Sequence, residues 1–379
     1  MAGIYIHVPF CQTRCLYCDF FSNTRMNKKE GWLNTLCREI ELRKTYLGDA
    51  IIRTLYFGGG TPSQLDESDF RRIFDALGGA FDLSACEEIT LEGNPEDLTD
   101  DYIAMLRRFP FNRISMGVQS FDDADLKFLN RRHNAHRAED AVRSCQAAGF
   151  SNISIDLMYG LPGQTLAGWR ANLEKALSLR VQHISSYHLI YEEGTALYRL
   201  LQQGKIQQVD EESSLEMFRM LIDTLAEGGF EHYEISNFAR DQRYSKHNTS
   251  YWQNTPYLGL GPGAHSYDGN NRHFNPGDFE QYMTLVGNND VADFTETEIL
   301  SPDEHYNEFI LTSLRTMWGL PLAILRERYG ETRYAYCMEM ARPHLDGGFL
   351  KEEGGYLKLT KAGIFISDGI MSDLLYIEE

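Results

Sequence analysis

No apolar run in the chain approaches the roughly 18 residues that a bilayer-spanning helix needs, so a transmembrane protein is not expected. The opening segment MAGIYIHVPF has neither a basic stretch nor a small-residue cleavage site, and so is not expected to act as an export signal. Positive charge is scarce. Lys and Arg number 36 against 55 Asp and Glu, a net charge of −19, which disfavours general binding to nucleic acid or anionic lipid. Short-period repeats and low-complexity tracts are absent. Cysteine is sparse, with seven in 379 residues. Without an export signal, these are read as cytoplasmic thiols that bind metal or pack rather than pair.

Length favours two domains over one core. Six short β-rich runs recur through the first half: IYIHV (4–8), TLYFG (54–58), EITLEG (88–93), RISMGV (113–118), NISIDLMYG (152–160) and HISSYHLI (183–190). Helical spacing separates them, as in the face made by Trp32, Leu33, Leu36 and Ile40, or by Phe70, Ile73, Phe74 and Leu77. Alternating β and α units predict parallel strands with crossover helices. Six units are fewer than the eight of a closed barrel, which predicts an open (β/α)6 partial barrel over residues 1–230. Gly, Pro and polar residues crowd the segments after several strands, where such folds place ligands. Residues 231–299 are rich in aromatics, His, Asn and Gly and are expected to close over the barrel mouth. Residues 300–379 predict a small helical, winged-helix-like domain, with FLKEEGGYLKLT as a hairpin around Gly-Gly.

Three of the seven cysteines, Cys11, Cys15 and Cys18, fall in CQTRCLYC just after the first strand. Thiolates select zinc, copper(I) or iron–sulfur clusters. Structural zinc normally takes four protein ligands, and no fourth thiol is nearby. A [4Fe–4S] cube on three thiolates leaves one iron free for a bidentate ligand. A zinc site completed by His7 or Asp19, or three unrelated thiols, are the alternatives that spacing leaves open. Cys37, Cys86, Cys145 and Cys337 are scattered and read as packed or bystander thiols. In YFGGGTPS, three glycines at the end of the second strand let backbone approach a ligand and offer N–H groups to it.

Cys-x3-Cys-x2-Cys after a first strand resembles the radical S-adenosylmethionine (SAM) superfamily. IYIHVPFC, TLYFGGGTPS, NRISMGVQSFDDADLKFLNRRH, SIDLMYGLPGQT, YHLIYEEGTALY and YLGLGPGAHSY extend the resemblance to the HemN/HemW group over nearly the whole chain. The resemblance implies a cluster on Cys11, Cys15 and Cys18 whose free iron binds SAM. It implies SAM contacts at Tyr5, Gly59, Gly60, Thr61, Glu92, Gln119, Arg131 and Asp156, and backbone contact near His265. Glu92 would neutralise the sulfonium or the ammonium, and Arg131 would pair with the carboxylate.

Two functions divide the group: oxygen-independent decarboxylation of coproporphyrinogen III, and haem chaperoning. The decarboxylases carry a further cysteine where this chain has Phe20, and an extension ahead of the first strand for which residues 1–10 leave no room. His247-Asn248-x-x-Tyr251-Trp252 fits an element associated with the chaperone branch. An imidazole is a good axial haem ligand, and aromatic rings offer flat apolar faces. On that basis His247 is expected to bind haem beside Tyr251 and Trp252, with Lys246 and Arg243 near the propionates. His188 stands in reserve, and His133 and His136 are expected only to decorate a helix start. The expected partners are haem-requiring acceptor proteins, membrane respiratory enzymes among them, met from the cytoplasm or as a peripheral protein. Nucleic acid is not among them.

Overall fold

The computed structural model describes residues 1–19, 21–288 and 294–377. Phe20 lies outside them. Six parallel strands succeed one another in chain order: β1 (Ala2–Val8), β2 (Ile52–Gly59), β3 (Glu88–Gly93), β4 (Arg113–Gln119), β5 (Ile153–Tyr159) and β6 (His183–His188). Each turns alternate residues outward onto crossover helices. Ile4, Ile6, Leu55, Phe57, Ile114, Met116, Ile153 and Ile155 are all buried in one core. Trp32, Leu33, Leu36 and Ile40 of α1 (Lys29–Leu42) and Phe70, Ile73 and Leu77 of α2 (Glu67–Ala80) cover that layer. The ring is completed by α3 (Asp100–Leu106), α4 (Asp123–Phe128), α5 (Ala135–Ala147), α6 (Leu166–Ser178), α7 (Ala196–Gln202) and α8 (Glu211–Glu227). Caps fix their starts: Asp66 forms a capping box with Asp69, and Asn134 and Thr165 accept from the third N–H of α5 and α6.

β1 and β6 do not pair, so the barrel is open, and the sheet continues past both. On one side, β9 (Tyr257–Leu260) joins β1 in parallel and leads to antiparallel β10 (His265–Tyr267), β11 (Asn271–Phe274) and β12 (Glu296–Ile299). On the other, β8 (Asn237–Ala239) and β7 (Glu231–Glu234) extend β6. Residues 231–299 therefore do more than close over the mouth: they build both sheet edges. They also send α9 (Lys246–Trp252) against the opposite, N-terminal end of the barrel strands. The Gly261–His265 turn lies against the end of β1, where a Cβ at Gly261 would meet the His7 carbonyl. The sequence lacked a periodic signal here because these strands are three or four residues long.

After α10 (Phe279–Gly287), a second core forms around Tyr306, Phe309 and Ile310 of α11 (Pro302–Leu314). The helical stretch α12 (Leu322–Asp346) breaks at Gly330. β13 (Leu320–Pro321), β14 (Leu350–Glu353) and β15 (Tyr356–Leu359) make a three-stranded sheet in the order β13-β15-β14. Gly354 and Gly355, at φ 61° and 83°, turn the expected hairpin. Two short helices, α13 (Lys361–Ile364) and α14 (Ser367–Asp373), end the chain. Among the described residues, no helix is long and apolar enough to cross a membrane.

Candidate functional site

The C-terminal ends of β1–β6 open into one cavity of about 410 Å³. Tyr5, Gly59, Gly60, Thr61, Glu92, Gln119, Arg131 and Asp156 all line it, together with Cys11, Cys15 and Cys18. Residues from five strands and three connecting segments thus converge, with Gly59, Glu92 and Gln119 at or next to the ends of their strands and Tyr5 and Asp156 reaching in from mid-strand. Gly59 has φ 104°, where a side chain would be strained and would also strike the His7 ring. At Gly60 a Cβ would lie 2.8 Å from the Val8 carbonyl oxygen and 2.9 Å from the Phe10 nitrogen. The glycine run is therefore threaded against the first strand, which places the cysteine loop and the Gly-rich turn side by side.

Glu92 is the electrostatic centre of the cavity. Its carboxylate accepts from the Tyr56 hydroxyl at 2.6 Å and from the Gly59 N–H at 3.2 Å. Burial, with a smaller contribution from the neighbouring Asp156, pushes its pKa up to about 7 despite the Tyr56 hydrogen bond. Asp156 is raised to about 6, again by burial, with the Ser185 hydroxyl, Arg113 and Arg131 opposing. Two acidic groups held near neutrality on one wall suit a cationic ligand, whose charge would draw off their protons.

Asn94, which sequence reasoning passed over, also lines the cavity, and His7 supports it from behind. Asn94 links two sides of it, donating to Thr61 Oγ1 at 3.4 Å and accepting from Arg131 Nη2 at 2.6 Å. Arg131 Nη2 also donates to the Gly117 carbonyl at 2.6 Å. His7 carries its proton on Nε2, which donates to the Phe21 carbonyl at 2.8 Å, leaving Nδ1 to accept from Tyr5 at 3.2 Å. It thereby ties the end of the cysteine loop to the first strand. Asn94 directly follows the EITLEG run, among the polar residues that crowd the strand ends; His7 had been considered only as a fourth ligand of a zinc site.

The comparisons with known proteins match this geometry. Residues 5–176 match the model of the Radical SAM superfamily, and residues 300–366 match that of the HemN C-terminal domain. The chain is 32% identical to the protein called heme chaperone HemW of Bacillus subtilis (strain 168), over 99% of both chains. The chain belongs to the HemW family of radical SAM proteins. A second member, from Lactococcus lactis, is 36% identical over 83% of this chain and 82% of its own. Among solved structures, coproporphyrinogen III oxidase (HemN) from Escherichia coli superposes with a TM-score of 0.85 over 99% of this chain and 90% of its own. At 22% identity, that likeness establishes the fold.

Membership in a radical SAM family implies a [4Fe–4S] cluster and SAM. The residues present fit the cluster. None of the seven cysteines is in a disulfide. Cys11 Sγ accepts from Thr61 Oγ1 at 3.3 Å, and Cys15 Sγ accepts from Arg131 Nη1 at 3.3 Å. Donors aimed at sulfur favour thiolates and tune a cluster held on them. Among the described residues, no three His, Cys, Asp or Glu groups are gathered tightly enough to hold one metal ion. A four-iron cube spaces its thiolates more widely than a single ion does. Cys37, Cys86, Cys145 and Cys337 do not line the cavity.

The HemW-type element lies elsewhere. His247 opens α9 at the barrel floor, and its relative exposure is 1%. Both ring nitrogens are engaged, Nδ1 with Thr54 Oγ1 at 2.8 Å and Nε2 with Tyr251 Oη at 2.8 Å. The ring stacks on Tyr56, and burial followed by the charge of Arg113 pushes its pKa down to about 3. The backbone N–H groups of Lys246 and His247 donate to Glu88, and the Lys246 ammonium pairs with Glu87. Trp252 lies under the Arg315 guanidinium, 4.1 Å from the ring centroid, and Arg315 pairs with buried Glu234 at 2.7 Å. In this conformation the His247 imidazole, expected to bind haem, has both ring nitrogens engaged by Thr54 and Tyr251. Lys246 is likewise committed to carboxylates rather than waiting for propionates. His188 lines the cavity mouth, with Nε2 3.1 Å from the Ser214 hydroxyl. His133 is buried between Glu96 and the Val118 carbonyl, rather than decorating a helix start.

Proposed function

We propose that the chain is a haem chaperone: it binds a [4Fe–4S] cluster on Cys11, Cys15 and Cys18, SAM above it, and haem, and passes haem to acceptor haemoproteins. The observation that carries this reading is end-to-end similarity to a heme chaperone HemW, with 99% of each chain covered. The His247-Asn248-x-x-Tyr251-Trp252 element and Phe20, in place of the decarboxylases' further cysteine, support it.

A bound cluster would supply a coordination site for SAM and a low-potential electron. The chain's own residues do the rest. Glu92 and Asp156 lose protons to meet a cationic ligand, Arg131 and Asn94 hold the cysteine side of the cavity, and the Gly59–Gly60 turn, with no side chains, lets the backbone come close to the ligand. Haem ligation by His247 requires α9 to leave the floor, since both nitrogens are otherwise occupied. Acceptor proteins, membrane respiratory enzymes among them, would take the haem from the cytoplasmic side.

The test is an anaerobic pair of assays on cluster-loaded protein. Haem titration should give a saturable Soret shift that weakens in His247→Ala. Coproporphyrinogen III with SAM and a reductant should yield no protoporphyrinogen. Turnover of that substrate would overturn the chaperone reading, and a Soret shift unchanged in His247→Ala would move the ligand elsewhere.

A further inference from the structure

The cavity wall contains one residue in a conformation that side chains disfavour. Gln119, at the end of β4, has φ 69°, in the left-handed region that favours glycine. The Ser120 N–H donates to the Val118 carbonyl at 2.9 Å, so Gln119 is the centre of a tight three-residue turn, the rare and strained kind. The pairing of β4 with β5 shifts register between Met116 and Gln119, at the same kink. Through it the Gln119 side chain joins the cavity lining. Its Nε2 lies over Gly117, where a Cβ would come within 3.0 Å of it and 3.2 Å of Arg131 Nη2.

Strain of this kind persists only where the surroundings over-determine it. Here the bonds that do so come from outside the cavity. Asn172, in the middle of α6 and buried, accepts the Phe121 N–H on its Oδ1. The buried Ser120 hydroxyl lies 3.2 Å from the same oxygen, donates to Asp125 Oδ2 at 2.7 Å and accepts the Asp122 N–H at 3.1 Å. The two residues after Gln119 are thus tied to a crossover helix and to the start of α4, which leaves the turn no room to relax. Asn172 itself does not line the cavity. It bears on a ligand there only through the segment that follows Gln119.

We propose that Asn172 is a positioning residue for the cofactor cavity: by fixing Ser120 and Phe121 it holds Gln119 in the strained turn and so keeps the Gln119 amide beside Arg131, facing the ligand. A glycine at 119 would take this backbone shape without strain, but it would bring no amide to the cavity. The strain is the cost of placing a side chain there, and Asn172 offsets it from behind. The inference rests on the reading that SAM binds in this cavity and is independent of haem.

The test is a double-mutant cycle on the full-length, cluster-loaded chain, with iron and sulfide measured first and SAM affinity read by anaerobic isothermal titration. Asn172→Leu should weaken SAM binding about tenfold, the worth of one hydrogen bond to a charged group, at unchanged cluster content. Gln119→Gly should weaken it to the same degree without lowering the melting temperature, because glycine relieves the strain. In the Gln119→Gly background, Asn172→Leu should lower the melting temperature yet leave SAM affinity within about twofold, since no side chain remains to be positioned. A loss of SAM affinity from Asn172→Leu that is equal in both backgrounds, or absent from both, overturns the proposal. If Asn172→Leu does not fold, Ser120→Ala enters the same cycle, and the same two results overturn it. Wild-type protein that binds no SAM would instead sink the reading of the cavity, and this inference with it.

Discussion

SAM affinity should rise with pH, and Glu92 should be the main reason. Without ligand, the Glu92 carboxyl titrates near 7, against an ordinary glutamate value of ~4.3. A cationic ligand that restores the ordinary value binds only the ionised form well, so its apparent affinity follows the ionised fraction. That fraction is about one in eleven at pH 6 and about ten in eleven at pH 8, a gain of about tenfold. Asp156, near 6, adds about twofold over the same interval by the same arithmetic. The wild-type chain should therefore gain about 20-fold in SAM affinity between pH 6 and 8, and Glu92→Gln only about twofold. The sign for stability is opposite. The ligand-free chain keeps the Glu92 proton that its unfolded form would release, so it loses stability as pH rises from the ordinary carboxylate range through about 7. Isothermal titration under anaerobic conditions reads the affinities, and the ratio of wild type to variant cancels the titration of SAM's own amine. If that ratio is flat from pH 6 to 8, Glu92 does not face the cationic part of SAM, and the electrostatic reading of the cavity is wrong.

Substituting any one of Cys11, Cys15 or Cys18 by Ala should abolish the cluster's visible absorbance and most bound iron, whereas Cys37→Ser should retain both. Glu39→Ala should destabilise the chain by about 3–5 kcal/mol, read by chemical denaturation, because it strands buried Arg43 and removes the acceptor for the Gly261 N–H at 2.8 Å. Gly60→Ala should cost about 1–3 kcal/mol through its contacts with the Val8 and Phe10 backbone, and should weaken SAM binding. Gly78→Ala, in α2 with open space at the Cβ position, should instead stabilise by about 0.5–1 kcal/mol.

Where the chain repeats a strong local signal, the sequence was easy to read. EITLEG coincides with β3 to the residue, and the other five strand runs fall within two residues of the observed ends, because β-branched and aromatic runs bounded by Gly, Pro or Asn leave little freedom. The cavity was legible at two levels: the strand runs showed where ligands would lie, but Glu92, Gln119 and Asp156 were singled out only by the resemblance to a known family. Two things were hidden. β7–β12 are too short for period-2 alternation to register, and their place at the sheet edges depends on pairing partners far along the chain. The surroundings of His247 were hidden as well. Its neighbours Thr54, Tyr56 and Glu88 are more than 150 residues away, and no local pattern marks an imidazole whose two nitrogens are both bonded. Residues 4–58 and 247–251 each read clearly alone; that they touch is a property of the curled sheet.

The seven-residue helix at the barrel floor has a mechanical side. His247 near its start is pinned to β2, and Trp252 at its end is clasped by Arg315 at the threshold of the C-terminal domain. The same short helix therefore joins the second barrel strand to the start of the C-terminal domain, so a substitution that removes either anchor, His247 or Trp252, bears on the seam between the two cores.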